Sequence, residues 1–193
     1  MTRKQRTLLV LVSSALALTL LPPAALYLDQ SYVISLMSRV LIYALAAVSL
    51  DLLLGYGGLI SLGHAAYVGV GAYVVAIGFY HSSEMEPLLI WPLQLAGSEN
   101  GLIVLPLAAI VAALFAFIIG AMSLRTKGMH FIMITLAFAQ MGYYFFVSLA
   151  KYGGDDGVSL YSRSTFPGLD LGSDSTFYYL CLVELFVFLF LSQ

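Results

Sequence analysis

Charge is what this chain has least of. Eight basic and ten acidic residues are spread over 193, so charged side chains make up 9% of the sequence, against about 25% in an ordinary soluble domain. That shortage excludes a solvated globular surface. It also leaves no basic patch large enough to hold nucleic acid. Cysteine is nearly absent: Cys181 stands alone in an apolar run. A disulfide framework is excluded, and Cys181 is expected to be a small buried apolar side chain. No Gly-Lys-Ser/Thr loop is present to cradle phosphates, so ATP is not bound through a P-loop. No nucleophile and base stand at a recognisable spacing, and the chain is not expected to be an enzyme. His64 has no second histidine or cysteine at ligand spacing, which argues against a metal. Gly153-Gly154-Asp155-Asp156-Gly157 lacks the alternating oxygen ligands and closing glutamate of a calcium loop and reads as a turn.

What remains is apolar. Hydrophobic residues make up 61% of the chain and the mean hydropathy is +0.97. A helix needs about 20 such residues to cross the hydrocarbon core. Six stretches qualify: Leu8–Leu28, Val33–Leu54, Leu59–Tyr80, Leu102–Leu124, Met129–Ala150 and Phe177–Leu191. The predicted fold is all-α, a polytopic transmembrane bundle of about six spans in a single domain over residues 1–193. The first stretch has a second reading as a cleaved signal peptide, with a basic start and small residues at Ala24 and Ala25.

The few charges orient the bundle. Arg3, Lys4 and Arg6 precede the first span, and Arg125 and Lys127 sit in the short joint between the fourth and fifth. Six alternating crossings put both clusters on one side, which the positive-inside rule makes cytoplasmic. Glu84, Glu86, Glu99, Asp155, Asp156, Asp170 and Asp174 then fall outside. The external loops are 81–101 and 151–175. Trp91, Tyr80 and Tyr152 sit where interfacial aromatics belong.

Small residues recur at helical spacing: Ala65, Gly69, Ala72 and Ala76 on the third span, Ala109, Ala113, Ala116 and Gly120 on the fourth, Thr135, Ala139 and Gly142 on the fifth. Such stripes let membrane helices approach closely. Residues 49–75 add a carboxylate, an imidazole and many glycines to an apolar stretch. Broken backbone survives at membrane depth only where protein buries it or it lines a wet cavity. Gly55, Gly57, Gly58, Ser61 and Gly63 are therefore candidates for a helix junction or a solute pathway. Asp51 either lines that pathway, bonds the broken backbone around Gly55–Gly58, or reaches interfacial water. His64 either starts a helix, bonded to a carbonyl, or takes part in the pathway. Thr135 and Gln140 are further candidates, with Gln140 requiring a partner in the bundle or a solute. Arg39 is placed to snorkel outward. Glu184 must be paired within the bundle or protonated.

Four segments resemble, in order and spacing, the permease subunits of branched-chain amino acid ABC importers of the Liv type. They are Ile42-Tyr43-Ala44-Leu45, then Asp51-Leu52-Leu53-Leu54-Gly55-Tyr56-Gly57-Gly58-Leu59-Ile60-Ser61-Leu62-Gly63-His64-Ala65-Ala66 continuing through Gly69-Val70-Gly71-Ala72-Tyr73, then Leu124-Arg125-Thr126-Lys127-Gly128 with Thr135-Leu136-Ala137-Phe138, and last Gly153-Gly154-Asp155-Asp156-Gly157. The resemblance implies one half of a membrane pore in the bacterial cytoplasmic membrane. A second permease subunit completes the pore, cytoplasmic ATPase subunits use the ATP, and an extracytoplasmic substrate-binding protein delivers a branched-chain amino acid. No cofactor is implied for this chain. Relatives that carry urea or other small polar solutes leave a second substrate class open, and a self-sufficient channel or secondary transporter is a third reading. Members of the family run on for roughly another hundred residues, including a basic loop that docks on the ATPase, so the chain reads as truncated at its C-terminal end relative to them.

Overall fold

The computed structural model describes residues 3–84, 87–89, 95–97, 100–126, 128–161, 163–166 and 170–192. Glu86, Trp91, Glu99 and Lys127, named above, lie outside the described residues. The described chain is built of helices: α1 (Arg3–Tyr27), α2 (Ser31–Gly57), α3 (His64–Ser83), α4 (Gly101–Ser123), α5 (Met129–Val147) and α6 (Asp174–Leu191). Helices α2 to α6 are each long and apolar enough to cross a membrane. In α1 the described apolar stretch is shorter, Ser13–Tyr27. Two short strands, β1 (Pro87–Leu89) and β2 (Leu95–Ala96), pair antiparallel in the loop between α3 and α4.

The helix ends follow from local chemistry. Asp29 takes the left-handed conformation, φ 54°, while Gln30 N–H donates to the Ala25 carbonyl and Asp29 N–H to that of Leu26. This pair of bonds satisfies carbonyls that α1 would otherwise leave bare. Asn100 caps α4, its side-chain oxygen accepting from Leu102 N–H at 3.0 Å. Gly58 stops α2 at φ 60°, a conformation other residues enter only with strain. Two span boundaries shift as a result. Helix α2 continues to Gly57, past the predicted Leu54, and α3 starts at His64 rather than Leu59.

The contacts divide the chain into two compact units, with the division inside α2. Unit 1 comprises residues up to Val48 and from Asp170 onward. Its core packs Ile34 and Leu41 of α2 with Tyr178, Cys181, Leu182 and Leu185 of α6 and Ala25 of α1. Tyr178 is fully buried, and its hydroxyl donates to the Leu18 carbonyl at 2.8 Å.

Unit 2 runs from Ser49 to Leu169 and packs α3, α4 and α5 together. The contacts fix the helix directions. Tyr67 meets Phe115 while Gly71 faces Ala112, so α3 and α4 run antiparallel. Gly63 faces Thr135 while Tyr73 meets Phe146, so α3 and α5 run parallel. Helix α4 turns a different face inward from the one its alanines suggest. Val104, Ala108, Ile119 and Ser123 are buried, while Ala109 and Ala113 are exposed. The expected stripe is one residue out of phase. A helix apolar on every side carries no polar face to set its rotation.

Candidate functional site

The site begins at the break after α2. Ser49 Oγ and His64 Nε2 share a 2.6 Å hydrogen bond. Ser49 lies eight residues before the helix end at Gly57, about 12 Å along the axis at ~1.5 Å per residue. His64 opens α3. Residues 58–63 therefore double back alongside the last turns of α2. Non-helical backbone is carried below the end of a spanning helix, where lipid offers it no hydrogen bonds. Protein covers it at two points, while Gly58, Ile60 and Leu62 stay exposed. Ser61 and Gly63 are buried, and a Cβ built on Gly63 would lie 2.5 Å from the Thr135 carbonyl oxygen. The Ser61 hydroxyl is buried and makes no hydrogen bond among the described residues. The His64 ring stands edge-on to Tyr67, with centroids 5.9 Å apart.

Several expected members sit differently. Gly55 and Gly57 are helical and exposed, and a Cβ on Gly55 would meet nothing within 4 Å. The break thus starts at Gly58, because only there does the backbone take positive φ. Asp51 is exposed on α2. Arg39 and Glu184 are exposed on α2 and α6. Arg125 is exposed in the joint between α4 and α5.

Beyond the close contact of Gly63 with Thr135, α3 and α5 part to leave a groove of about 620 Å³. Ala65, Ala66, Gly69 and Tyr73 form one wall; Leu136, Ala139, Gln140 and Val147 are on the other; Gly154 and Asp155 stand at one end. The volume falls within the range of small-molecule sites, about 300–1,000 Å³. From Leu136 to Val147 is eleven residues of α5, or about 16 Å at ~1.5 Å each. The α3 stripe is thus not buried against a helix along its whole length. Ala65 and Ala72 are exposed, and a Cβ on Gly69 would meet nothing within 4 Å. Gln140 is exposed to the groove and makes no hydrogen bond among the described residues. Tyr73 and Phe146 stack across the groove, with centroids 4.1 Å apart and an interplanar angle of 19°.

The loop after α5 fixes the far end. Residues Ala150–Tyr152 form a 3₁₀ turn. Gly153 follows in the left-handed region at φ 82°, with Gly154 N–H donating to the Leu149 carbonyl at 3.3 Å. A Cβ on Gly153 would run into the Gly157 carbonyl, so the chain can double back only on glycine. Tyr152 OH and His81 Nε2 share a 2.9 Å hydrogen bond, and Tyr80 stands edge-on to Tyr152. His81 is buried at the end of α3. These contacts seat Gly154 and Asp155 at the groove mouth, while Asp156 is exposed beside it. No group of three histidine, cysteine or acidic residues gathers among the described residues in a way that could hold a metal.

Sequence reasoning missed Ser49, the Tyr73–Phe146 stack and the His81–Tyr152 pair. The last two join residues more than seventy positions apart, and no local pattern carries such a pairing. Ser49 did leave a signal, as a polar residue two turns above a helix break.

The fold and the groove define a class: a multi-pass membrane protein with a groove between two of its spans. The match to known proteins names the family. Residues 32–192 match the family described as "Branched-chain amino acid transport system / permease component", and the chain belongs to it. It is 25% identical over 138 residues to the high-affinity branched-chain amino acid transport system permease protein LivM of Salmonella typhimurium, covering 71% of this chain and 29% of that protein. It is 25% identical over 170 residues to the LivM of Escherichia coli K12, covering 88% of this chain and 35% of that protein. The chain thus spans about a third of the length of these relatives. No solved structure matches it.

Proposed function

We propose that the chain is the membrane-spanning permease subunit of an ATP-driven importer for branched-chain amino acids in the bacterial cytoplasmic membrane. The observation that carries the reading is the family match, which runs through α2 to α6 and so takes in both walls of the groove. A second permease subunit, cytoplasmic ATPase subunits and an extracytoplasmic binding protein complete the machine in this reading. Transport is then a change of access, driven by partners whose contacts differ between two states. The helix directions suit it. With α3 and α5 parallel and α4 antiparallel, the Asp155 end of the groove and the joint at Leu124–Gly128 lie at opposite ends of unit 2. In this reading the basic residues of the joint face the cytoplasm, as the positive-inside rule favours. The groove mouth then opens outward.

Two measurements test this. ATP-dependent leucine uptake by vesicles carrying the chain with its partner subunits is expected, and urea uptake without leucine uptake would transfer the chain to the other substrate class. Uptake without ATPase subunits would instead favour a self-sufficient carrier. In intact cells, Ser173→Cys should react with an impermeant thiol reagent and Thr126→Cys should not. The reverse pattern would invert the topology.

A further inference from the structure

Gln140 poses a chemical problem. It lies midway along a membrane-spanning helix, faces the groove, and has no hydrogen-bond partner among the described residues. An amide against lipid tails is left unsatisfied at a cost of several kcal/mol. The groove therefore holds something that can hydrogen-bond. Among the described lining residues the rest are alanine, glycine, aliphatic and aromatic side chains, with hydroxyls on Tyr73 and Tyr143, and Asp155 is the one charged side chain. Order along the groove follows from the helices. Gly63 against Thr135 closes one end, Gln140 comes next, the Tyr73–Phe146 stack crosses beyond it, and Asp155 stands past Val147 at the mouth. About seven residues of α5, or ~10 Å, separate Gln140 from Val147. That is too far for one small head group to touch Gln140 and Asp155 together.

We infer that the groove is a wet conduit with two successive contact points for an ammonium-bearing aliphatic solute. Asp155 receives the ammonium group at the mouth. Gln140 bonds the polar head deeper in, while the aliphatic part lies against Ala65, Gly69 and Ala139. The Tyr73–Phe146 stack separates the two positions. A carboxylate without an ammonium finds no cationic side chain among the described lining residues. The inference deepens the importer reading and rests on it for the identity of the solute.

The test uses the whole importer in membrane vesicles, with thiol reporters at Val147→Cys near the mouth and Ala139→Cys beside Gln140. The wild-type chain, whose Cys181 is buried, serves as the blank. Both reporters should react with a water-soluble methanethiosulfonate, and leucine should slow both. At Val147→Cys, 3-methylbutylamine should protect and 4-methylpentanoate should not. Asp155→Asn should raise the protecting amine concentration about tenfold, the scale of one lost ion pair or charged hydrogen bond, and Asp155→Glu should restore it. Gln140→Leu should remove leucine protection at Ala139→Cys while abundance stays at the wild-type level. Inert reporters in vesicles that still import leucine would overturn the conduit and mark the groove as filled by a partner helix or lipid. Equal protection by amine and carboxylate would overturn the role of Asp155. Vesicles that import no branched-chain amino acid would sink the importer reading alone, because the reporters judge the groove without uptake.

Discussion

The two units hold their helices together by opposite means. Unit 1 uses bulk: Tyr178, Leu182 and Leu185 fill the space against Ile34 and Leu41. Unit 2 uses the absence of bulk. Gly63 lies against the Thr135 backbone and Gly71 against Ala112, and where α3 and α5 part Ala65, Ala66, Gly69 and Ala139 are among the wall residues. In lipid neither unit gains the hydrophobic drive that water supplies, so both rely on van der Waals contact and on hydrogen bonds. Large interlocked side chains give one rigid solution. Small ones let backbones touch at one level and separate at the next, which is how a groove can share a helix pair with a seal. Helix α2 belongs to both regimes. Its first two-thirds carries Ile34 and Leu41 into the filled core, and its last turns carry Ser49 to the break.

This contrast predicts where substitutions hurt. The largest effect falls in unit 1. Tyr178→Ala removes a fully buried ring and its bond to the Leu18 carbonyl. The transfer term largely vanishes because lipid replaces water, which leaves the cavity and the lost contacts. A loss of about 2–4 kcal/mol is expected, toward the lower part of the range for aromatic truncations in soluble cores. Thermal unfolding in bicelles measures it. A change under ~1 kcal/mol would mean that unit 1 is not held by bulk.

Gly63→Ala comes next. The added methyl would meet a backbone oxygen at 2.5 Å, and backbone cannot rotate away as a side chain can. Overpacking of this kind costs about 1–3 kcal/mol. The same unfolding assay should show it, with leucine uptake falling in parallel. Gly58→Ala should cost less, about 1–2 kcal/mol, because its Cβ meets nothing within 4 Å and only the φ of 60° is strained. If the two substitutions reversed in rank, the tight contact between α3 and α5 would not be the point at which the groove closes.

Much of this arrangement is legible in the chain itself, and the limits have physical causes. Span number, family and the glycine-rich break follow from composition and from the run Asp51 to Tyr73, because lipid penalises charge and open backbone so strongly. Helix rotation is not legible. Helix α4 is apolar on all sides, so its expected stripe at Ala109 and Ala113 falls one residue out of phase with the buried face that carries Ala108. The small residues of α3 are visible but not what they face: half of that stripe borders space. Gln140 reads as a residue in need of a partner. Its position on an open wall comes only from the parallel packing of α3 on α5, set by the pairs Gly63–Thr135 and Tyr73–Phe146.

The smallest stability effect sharpens the comparison most. Gly69 lies on α3, six residues after Gly63, and has no neighbour within 4 Å of a built Cβ. Alanine there strains nothing, since its backbone is helical. Alanine also exceeds glycine in helix propensity by up to ~1 kcal/mol in water. Gly69→Ala should therefore unfold at or slightly above the wild-type temperature. Its methyl nonetheless projects into the groove beside the level of Gln140, so leucine uptake should fall several-fold at unchanged abundance. Stability and transport then move apart at Gly69 and together at Gly63. A Gly69→Ala chain that unfolds as early as Gly63→Ala would show a helix packed against that face, and the open wall would be lost. One that keeps both stability and full uptake would leave the wall open but take the solute elsewhere.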